Sequence, residues 1–244
     1  MNKKNINHRG IFPKIIPELT EEQKNIKYDF MKHWLMILRK NYGIVDKFNH
    51  NVVFKNRPQN FLKTLEIGAG IGEHLNYEIL SDEQKKNYYA LDVRKNVLDI
   101  LSKEHSSVNA VLGDCEKKLK FEDKFFDRVI AIHILEHLPN LPSAINEIHR
   151  VLKNDGCFQV VIPCEGSLAY TVARKISAER IFKKKYNTSY DWYIKSEHIN
   201  LPFEIFDELK KKFNIVSKKY FPLPVPVEFC NLCIGLNLSP KIKT

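Results

Sequence analysis

A short apolar run is followed at once by a glycine-rich turn in the segment Leu65–Gly72, which is LEIGAGIG. Glycine adopts backbone conformations that other residues resist, and it lets a ligand approach the main chain closely. The spacing G-x-G-x-G differs from the G-x-G-x-x-G of dinucleotide-binding turns. Glu66 precedes the first glycine, where a carboxylate would repel a pyrophosphate and attract an ammonium group. The turn therefore predicts a site for a ligand with an amino-acid part.

Two more acids follow the next two apolar runs of the chain. Asp92 lies 22 positions after Gly70 (92 − 70), and Asp114 ends the run after that. An acid about 20 residues after such a turn accepts ribose hydroxyls, and ligands of open α/β sheets bind outside the carboxyl ends of the strands. Together with Glu66, these acids would suit a ligand with an amine, a ribose diol and an adenine amine. Each acid alone has the alternative of a helix cap or a solvated side chain.

Three histidines are candidates for a general base, which assists a weak nucleophile such as a hydroxyl. His133 and His137 bound the phrase HILEH, directly after the predicted strand Phe126–Ile132, and His198 lies further along the chain. His133 is expected to emerge at the strand end, and its alternative is a core-facing histidine bonded to a backbone carbonyl. His137 has the alternative of a structural role in the loop.

The same phrase, H-x-x-E-H, also matches the signature of inverted zinc proteases. That chemistry requires a helix that places both histidines on one face. The residues Val129–Ile132 that precede the phrase are instead predicted to form a strand. We therefore exclude a protease.

Short apolar strands that alternate with amphipathic helices position these residues. Such alternation predicts βαβ units and a doubly wound α/β fold with a mostly parallel sheet. Helices are predicted between Thr20 and Gly43 and over Gly166–Tyr186, whereas residues 44–60 and Asn187–Asn200 are predicted as loops. The predicted strands are Phe61–Ile67, Asn87–Leu91, Ala110–Leu112, Phe126–Ile132, Cys157–Ile162, Ile215–Phe221 and Asn231–Leu238.

The ends of the chain depart from this alternation. Residues 1–60 are predicted as a helical N-terminal extension or lid, and residues 61–244 as the main domain with a substrate-side insertion at about 165–200. The last two strands are joined by a short Pro-rich link, which leaves little room for a crossover helix. They are therefore expected to pair antiparallel at the sheet edge.

The successive motifs closely resemble those of class I S-adenosylmethionine-dependent methyltransferases. The resemblance is strong over about residues 61–163, and it is carried by the glycine turn, Asp92, Asp114, Phe126–Val129 and Leu135–Leu138. It implies a seven-stranded Rossmann-like sheet with an antiparallel last strand, S-adenosylmethionine as cofactor and S-adenosylhomocysteine as product. It also implies that the turn holds the methionine part, Asp92 the ribose, and Asp114 with its neighbour the adenine. The implied cofactor-binding residues are Glu66, Gly68, Ala69, Gly70, Gly72, Asp92, Val93, Asp114, Cys115, Ile132 and His133.

The tail phrases Glu197–Asn200 and Tyr220–Pro222 are similar to those of small-molecule methyltransferases from bacterial surface-polysaccharide clusters, which build capsule or O-antigen. This resemblance implies methyl transfer to an oxygen of a sugar, or of a sugar-linked phosphate or phosphoramidate group. Aromatic rings and carboxylates together are typical of a sugar site, and arginine suits a phosphate. The candidate substrate-binding residues are Glu165, Tyr170, Arg174, Tyr190, Trp192 and His198.

Some related methyltransferases hold a divalent ion with an E-x-x-E-H cluster at the place of the phrase HILEH. His133 replaces the first glutamate here. Because Mg²⁺ prefers oxygen ligands, this replacement disfavours a magnesium site. We therefore expect no metal.

The chain is basic, with 39 Lys and Arg against 29 Asp and Glu residues and a formal net charge of +10. Such a charge makes an RNA methyltransferase one alternative function. The lysines are spread along the whole chain, however, and neither a separate RNA-binding module nor an Asn/Asp-Pro-Pro-Tyr motif is present, so a nucleic-acid partner is not expected. A non-catalytic cofactor-binding subunit is the other alternative, and the intact set of three acids argues against it.

Other features of the composition favour a cytoplasmic enzyme. No apolar run approaches the roughly 20 residues that span a bilayer, and the N-terminus MNKKNINHRG lacks the apolar part of a secretory signal. The five cysteines are scattered, which does not suggest a disulfide framework. An oligomer remains open on the sequence.

Overall fold

The computed structural model describes residues 10–41 and 43–242, so the first nine residues of the predicted N-terminal extension lie outside the described residues. Within the described ranges, no helix combines the length and the apolar character needed to cross a membrane. The strands are β1 Thr64–Ile67, β2 Tyr88–Asp92, β3 Asn109–Leu112, β4 Phe126–Ile132, β5 Leu152–Pro163, β6 Phe213–Phe221 and β7 Cys233–Pro240. The α-helices are α1 Glu21–Asn41, α2 Gly43–Lys55, α3 Asp82–Lys86, α4 Lys95–Glu104, α5 Leu141–Val151, α6 Leu168–Ile176, α7 Ala178–Tyr186, α8 Asp191–Glu197 and α9 Pro202–Lys212.

These strands form one seven-stranded sheet in the order β3-β2-β1-β4-β5-β7-β6. Strands β1 to β5 are parallel, and β7 runs antiparallel to both β5 and β6. The chain order reverses between β1 and β4, so the carboxyl ends of β1, β2 and β4 open on one crevice, where ligands of such sheets bind. The predicted doubly wound α/β fold with an antiparallel last strand is confirmed.

Helices cover both faces of the sheet. On one face, α5 and α9 bury apolar side chains such as Ile148 and Leu209 against the strands. On the other face, Val53 of α2 packs with Ile130 of β4 and Val161 of β5. The approach of α2 is close, because a Cβ added to Gly235 of β7 would lie 2.7 Å from a methyl carbon of Val52.

The prediction of a loop over residues 44–60 is wrong, because α2 occupies Gly43–Lys55. Its apolar residues Val45, Phe48 and Val52 are spaced by three and four positions, which is the spacing of one helix face. The intervening Asn, His and Lys residues obscure that spacing in the sequence. The N-terminal region therefore covers the sheet as part of its core, in addition to any role as a lid.

The insertion after β5 contains more helix than was predicted. The expected single helix Gly166–Tyr186 is interrupted at Ser177, whose hydroxyl donates to the carbonyl oxygen of Ala173 at 2.5 Å. The expected loop Asn187–Asn200 contains α8, which buries Tyr193 and Ser196. The periodicity of α8 spans only seven residues, which is too short to indicate a helix from the sequence alone.

Candidate active site

The glycine turn requires glycine for its backbone conformation. Gly68, Gly70 and Gly72 have φ angles of 68°, 58° and 91°, in the left-handed region that favours glycine. A Cβ on Gly68 would lie 2.0 Å from the side chain of Ile134, which follows β4. The turn therefore packs closely against the loop after β4 and leads into a 3₁₀ turn over Glu73–Tyr77.

A cavity of about 460 Å³ lies outside the carboxyl ends of β1, β2 and β4, and we call it the strand-end cavity. Seven of the residues implied to bind the cofactor line it: Gly68, Gly70, Asp92, Val93, Asp114, Cys115 and His133. The sequence thus brings residues from four separate segments to one crevice. Their predicted roles toward a cofactor stay predictions.

Asp92 accepts four hydrogen bonds at the strand-end cavity. One carboxylate oxygen accepts hydrogen bonds from the backbone nitrogen and Nε of Arg94, at 2.9 and 3.0 Å. The other accepts from Nη2 of Arg94 at 3.0 Å and from the backbone nitrogen of Gly70 at 3.1 Å. Burial opposes ionisation, but the bonds from Arg94 outweigh it and hold the pKa of Asp92 below its ordinary value. The carboxylate is therefore charged and is held by the glycine turn.

Asp114 and Cys115 follow β3 at the far side of the strand-end cavity. One oxygen of Asp114 accepts a hydrogen bond from the backbone nitrogen of Glu116 at 2.9 Å, which fixes the carboxylate. Burial raises the pKa of the Cys115 thiol to about 12. This cysteine is therefore a neutral wall residue, which suits contact with an uncharged ring better than nucleophilic chemistry.

Four residues of the implied cofactor set, namely Glu66, Ala69, Gly72 and Ile132, do not line the cavity. Glu66 is 4% exposed and accepts a hydrogen bond from the hydroxyl of Tyr88 at 2.7 Å. Burial raises the pKa of Glu66 to about 8, although the bond from Tyr88 lowers it. In this structure the carboxyl group thus supports the strand behind the turn, rather than presenting a charge to the cavity.

A buried polar network behind the glycine turn was not predicted from the sequence. Nε2 of His74 shares a hydrogen bond with Glu78 at 2.9 Å, and the fully buried Arg128 donates to the same carboxylate at 2.7 Å. His50 of α2 lies 3.2 Å from His74, Nδ1 to Nδ1. Burial lowers the pKa of His74 to about 4, so this imidazole is neutral. The network ties α2 to the 3₁₀ turn and the sheet, and no local motif marks it.

A second cavity of about 390 Å³ lies under the insertion, and we call it the insertion cavity. Four of the predicted substrate-binding residues line it, namely Tyr170, Arg174, Tyr190 and His198. Trp34 of α1 and Tyr193 of α8 complete an aromatic wall, and neither is one of the six candidate substrate-binding residues.

Two other predicted substrate-binding residues lie behind the wall of the insertion cavity. Glu165 binds wall residues, accepting from Nδ1 of His198 at 2.9 Å and from Arg174 at 3.3 Å. Trp192 packs against Phe182 with ring centroids 5.7 Å apart, in the aromatic cluster between α1 and the insertion. Glu165 is therefore placed to orient groups of the wall, and Trp192 to support it.

The two cavities meet at residues that line both of them: Met31, His133, His137 and Glu197. His133 has a φ angle of 53°, which is uncommon for a residue other than glycine and is a form of strain often found at functional sites. Its Nδ1 donates to the carboxylate of Glu136 at 3.1 Å, and Glu136 is 1% exposed. This pair fixes the imidazole in the wall that the two cavities share.

The other two candidate bases also have fixed imidazoles. Nδ1 of His137 donates to the carbonyl oxygen of Glu197 at 2.7 Å, and Nδ1 of His198 donates to Glu165. Burial lowers the pKa of His137, despite the opposing effect of the Glu136 charge. The ring centroids of His137 and His198 lie 5.1 Å apart, so all three predicted catalytic histidines lie at one end of the insertion cavity.

Comparison with known proteins is consistent with this architecture. Residues 65–160 match a family model described as a methyltransferase domain. The human mitochondrial arginine-hydroxylase NDUFAF5 is 34% identical over 101 residues, which are 41% of this chain and 28% of that protein. The demethylmenaquinone methyltransferase of Chlorobaculum tepidum is 25% identical over 206 residues, which cover 80% of this chain and 82% of the relative.

Solved structures share the fold over most of the chain. A SAM-dependent methyltransferase from Thermotoga maritima superposes with a TM-score of 0.62 and 17% identity, over 89% of this chain and 99% of that structure. The chain spans less than a third of the length of the human relative. Residues 65–160 are thus similar to a methyltransferase domain, within a chain that has the Rossmann-like fold of SAM-dependent methyltransferases.

Proposed function

We propose that this chain transfers a methyl group from S-adenosylmethionine to an oxygen atom of a small molecule held in the insertion cavity. The observation that carries the proposal is the junction of two cavities at His133, one at the strand ends and one under the insertion. S-adenosylmethionine supplies an electrophilic methyl group on a sulfonium. Transfer of that group is an in-line displacement, so two adjoining sites that share wall residues suit it.

The residues of the strand-end cavity fit S-adenosylmethionine. Gly68 and Gly70 line this cavity, and without side chains they let a ligand approach the backbone of the turn closely. The carboxylates of Asp92 and Asp114 are acceptors for hydroxyl and amine donors, and their negative charge is favourable for a cationic ligand. Asp92 binds Arg94 in this structure, so we expect ribose binding to displace that side chain.

His133 is the proposed general base. The bond from its Nδ1 to Glu136 leaves Nε2 as the unprotonated nitrogen, and the carboxylate stabilises the imidazolium that forms when a hydroxyl proton is taken. A base is needed for a sugar hydroxyl, whereas the oxygen of a phosphate or phosphoramidate is already anionic. His198 and His137 are the alternative bases, because both line the same cavity.

A sugar, or a sugar-linked phosphate or phosphoramidate group, is the proposed acceptor. The faces of Tyr170 and Tyr190 are of the kind that packs on sugar rings, and they lie beside polar groups. Nε of Arg174 and Oδ1 of Asn49 are buried at the cavity without a hydrogen-bond partner among the described residues. Because both atoms are buried in the cavity wall, a hydroxyl or phosphate group reaches this donor and this acceptor after a small side-chain movement.

An apolar ring is the second candidate acceptor, and the rest of the cavity wall favours it. Val45, Ile194 and Leu232 line the insertion cavity together with the aromatic side chains. A relative matched over most of the chain is named demethylmenaquinone methyltransferase. An acceptor of this class needs fewer polar partners than a sugar.

Release of S-adenosylhomocysteine tests the function and the base together. The chain is incubated with S-adenosylmethionine and a panel of nucleotide sugars, capsular oligosaccharides, phosphorylated glycans, quinols and total RNA. We expect turnover with a sugar-derived acceptor, and a loss of about 10²–10⁴-fold in His133→Ala with cofactor binding intact. His149→Ala on α5 is the matched control, because His149 lines neither cavity.

The other outcomes of this assay separate the alternatives. Turnover that survives His133→Ala identifies an already anionic acceptor or another base, such as His198. Turnover only with quinols selects the apolar candidate, and turnover only with RNA selects the RNA methyltransferase. Cofactor binding without product for any acceptor fits a non-catalytic subunit.

A further inference from the structure

Glu136, His137 and His198 bring their metal-binding atoms together at one end of the insertion cavity. One carboxylate oxygen and one ring nitrogen from each histidine lie within 4.8 Å of one another. All three residues line the cavity, although His198 is 61 positions from His137 in the sequence (198 − 137). We infer that these side chains form a binding site for a divalent transition-metal ion.

Each histidine already has the partner that a metal-bound imidazole requires on its other ring nitrogen. The Nδ1 of His137 donates to the carbonyl oxygen of Glu197 at 2.7 Å, and that of His198 donates to the carboxylate of Glu165 at 2.9 Å. Such bonds place the ring proton on Nδ1, fix the orientation of the ring and leave Nε2 free to coordinate. Both imidazoles are therefore held in the form that binds a metal.

Glu136 supplies the anionic ligand. Its side chain is 1% exposed, and its Oε1 accepts the hydrogen bond from His133. Its Oε2 has no hydrogen-bond partner in the described part of the chain. Leaving a buried carboxylate oxygen unpaired is unfavourable, and coordination to a cation removes that penalty. The unpaired oxygen of Glu136 indicates a bound cation independently of the clustering of the three side chains.

The donor set decides the class of ion. Two imidazole nitrogens and one carboxylate oxygen suit Zn²⁺, Fe²⁺ or Co²⁺, whereas Mg²⁺ prefers oxygen ligands alone. The replacement of a glutamate by His133 therefore disfavours magnesium, but it does not disfavour a transition metal. A zinc ion with ligands at about 2.0–2.1 Å needs them roughly 3.4 Å apart, so small side-chain rotations close the site. Three protein ligands leave a coordination position for an oxygen from the insertion cavity.

Metal binding by the complete chain tests the inference without reference to methyl transfer. After removal of metals with a chelator and dialysis, Zn²⁺ is titrated calorimetrically, and Co²⁺ is titrated by visible absorption. We expect one ion per chain and a Co²⁺ spectrum typical of mixed nitrogen and oxygen ligands. His137→Ala and His198→Ala are each expected to lower the affinity at least tenfold, whereas His149→Ala leaves it unchanged. Circular dichroism verifies that each variant is folded.

Glu136→Gln is a more conservative substitution, because glutamine keeps the size of the side chain and an oxygen that accepts the hydrogen bond from His133, but removes the negative charge. We expect the same direction of change, with a loss of at least tenfold in Zn²⁺ affinity. The inference is overturned if the folded wild-type chain shows no saturable binding, or if His137→Ala and His198→Ala bind as the wild type does. Because no cofactor or acceptor is present, the result is independent of the proposed methyl transfer.

Discussion

At the scale of single residues, Arg94 competes with the ligand that we assign to the strand-end cavity. Its guanidinium binds both oxygens of Asp92, although the side chain is 53% exposed. An ion pair with such an exposed partner is worth at most about 1 kcal/mol. Removing it frees the carboxylate for a ribose and takes a positive charge away from a cationic ligand. Arg94→Ala is therefore expected to tighten S-adenosylmethionine binding by about two- to five-fold in calorimetry.

The control for this prediction is Lys95→Ala, because Lys95 is exposed on α4 and pairs with Asp99 rather than with Asp92. It should leave the affinity unchanged. Weaker binding in Arg94→Ala would mean that the guanidinium contacts the ligand instead of competing with it.

Glu66 gives the folded chain a distinctive dependence on pH. Its pKa of about 8 lies above the ordinary 4.5, so between these values the folded state keeps a proton that the unfolded state has released. Raising the pH through this window therefore lowers the free energy of unfolding, by at most about 1.4 kcal/mol per pH unit for one group. We expect Glu66→Gln to remove this loss between pH 6.5 and 8, as measured by urea unfolding.

The measurement starts at pH 6.5 because His74 acts in the opposite direction below it. Its pKa of about 4 means that stability falls as the pH drops from 6.5 toward 4. Glu83→Gln, at an exposed position of α3, is the control and should keep the wild-type slope. An unchanged slope in Glu66→Gln would show that Glu66 is ionised in the folded chain.

At the scale of elements, the aromatic contact between α1 and the insertion closes the insertion cavity. Phe30 is fully buried, and its ring packs edge-on against Phe182 at 5.0 Å and Tyr193 at 5.1 Å between centroids. Phe30→Ala should lower the free energy of unfolding by about 3–5 kcal/mol. It should also raise the KM for the acceptor more than that for S-adenosylmethionine, because α1 carries Trp34 of the cavity wall.

Tyr28→Ala is the matched control, since Tyr28 lies on the same helix and is 71% exposed. Its free energy of unfolding, measured by chemical denaturation, and its KM values, measured by steady-state kinetics, should be close to those of the wild type. Equal effects of the two substitutions would show that the position of α1 over the insertion cavity does not depend on the contacts of Phe30.

The sequence predicts site residues best where they directly follow successive strands. The glycine turn, Asp92 and Asp114 follow successive strands, so the topology alone brings them to one crevice. The position of α2 was missed because its apolar face only becomes meaningful against the sheet. Glu165 was assigned to the substrate, but its partner His198 is 33 positions away, and no spacing rule reveals that they bond. Long-range pairs of this kind require the tertiary structure.

At the scale of the whole molecule, the net charge of +10 predicts nonspecific RNA binding that is separate from methyl transfer. We expect RNA to be retained at low salt and to lose at least about tenfold in affinity between roughly 50 and 200 mM salt, as nonspecific phosphate contacts do. Methyl transfer to a neutral sugar should change little over the same range. Filter binding and S-adenosylhomocysteine release measure the two quantities side by side. Methyl transfer to RNA that declines with salt in parallel with RNA binding would point to an RNA substrate.

Methyl transfer from S-adenosylmethionine to a small molecule is the activity that we propose for the two adjoining cavities. Its most direct test is the fate of the label when the chain is incubated with methyl-labelled S-adenosylmethionine and the acceptor panel, followed by separation of products by mass. We predict label in a low-molecular-mass, sugar-derived product, attached through oxygen. Label recovered only in RNA, or failure of the folded chain to bind S-adenosylmethionine, would rule out this activity.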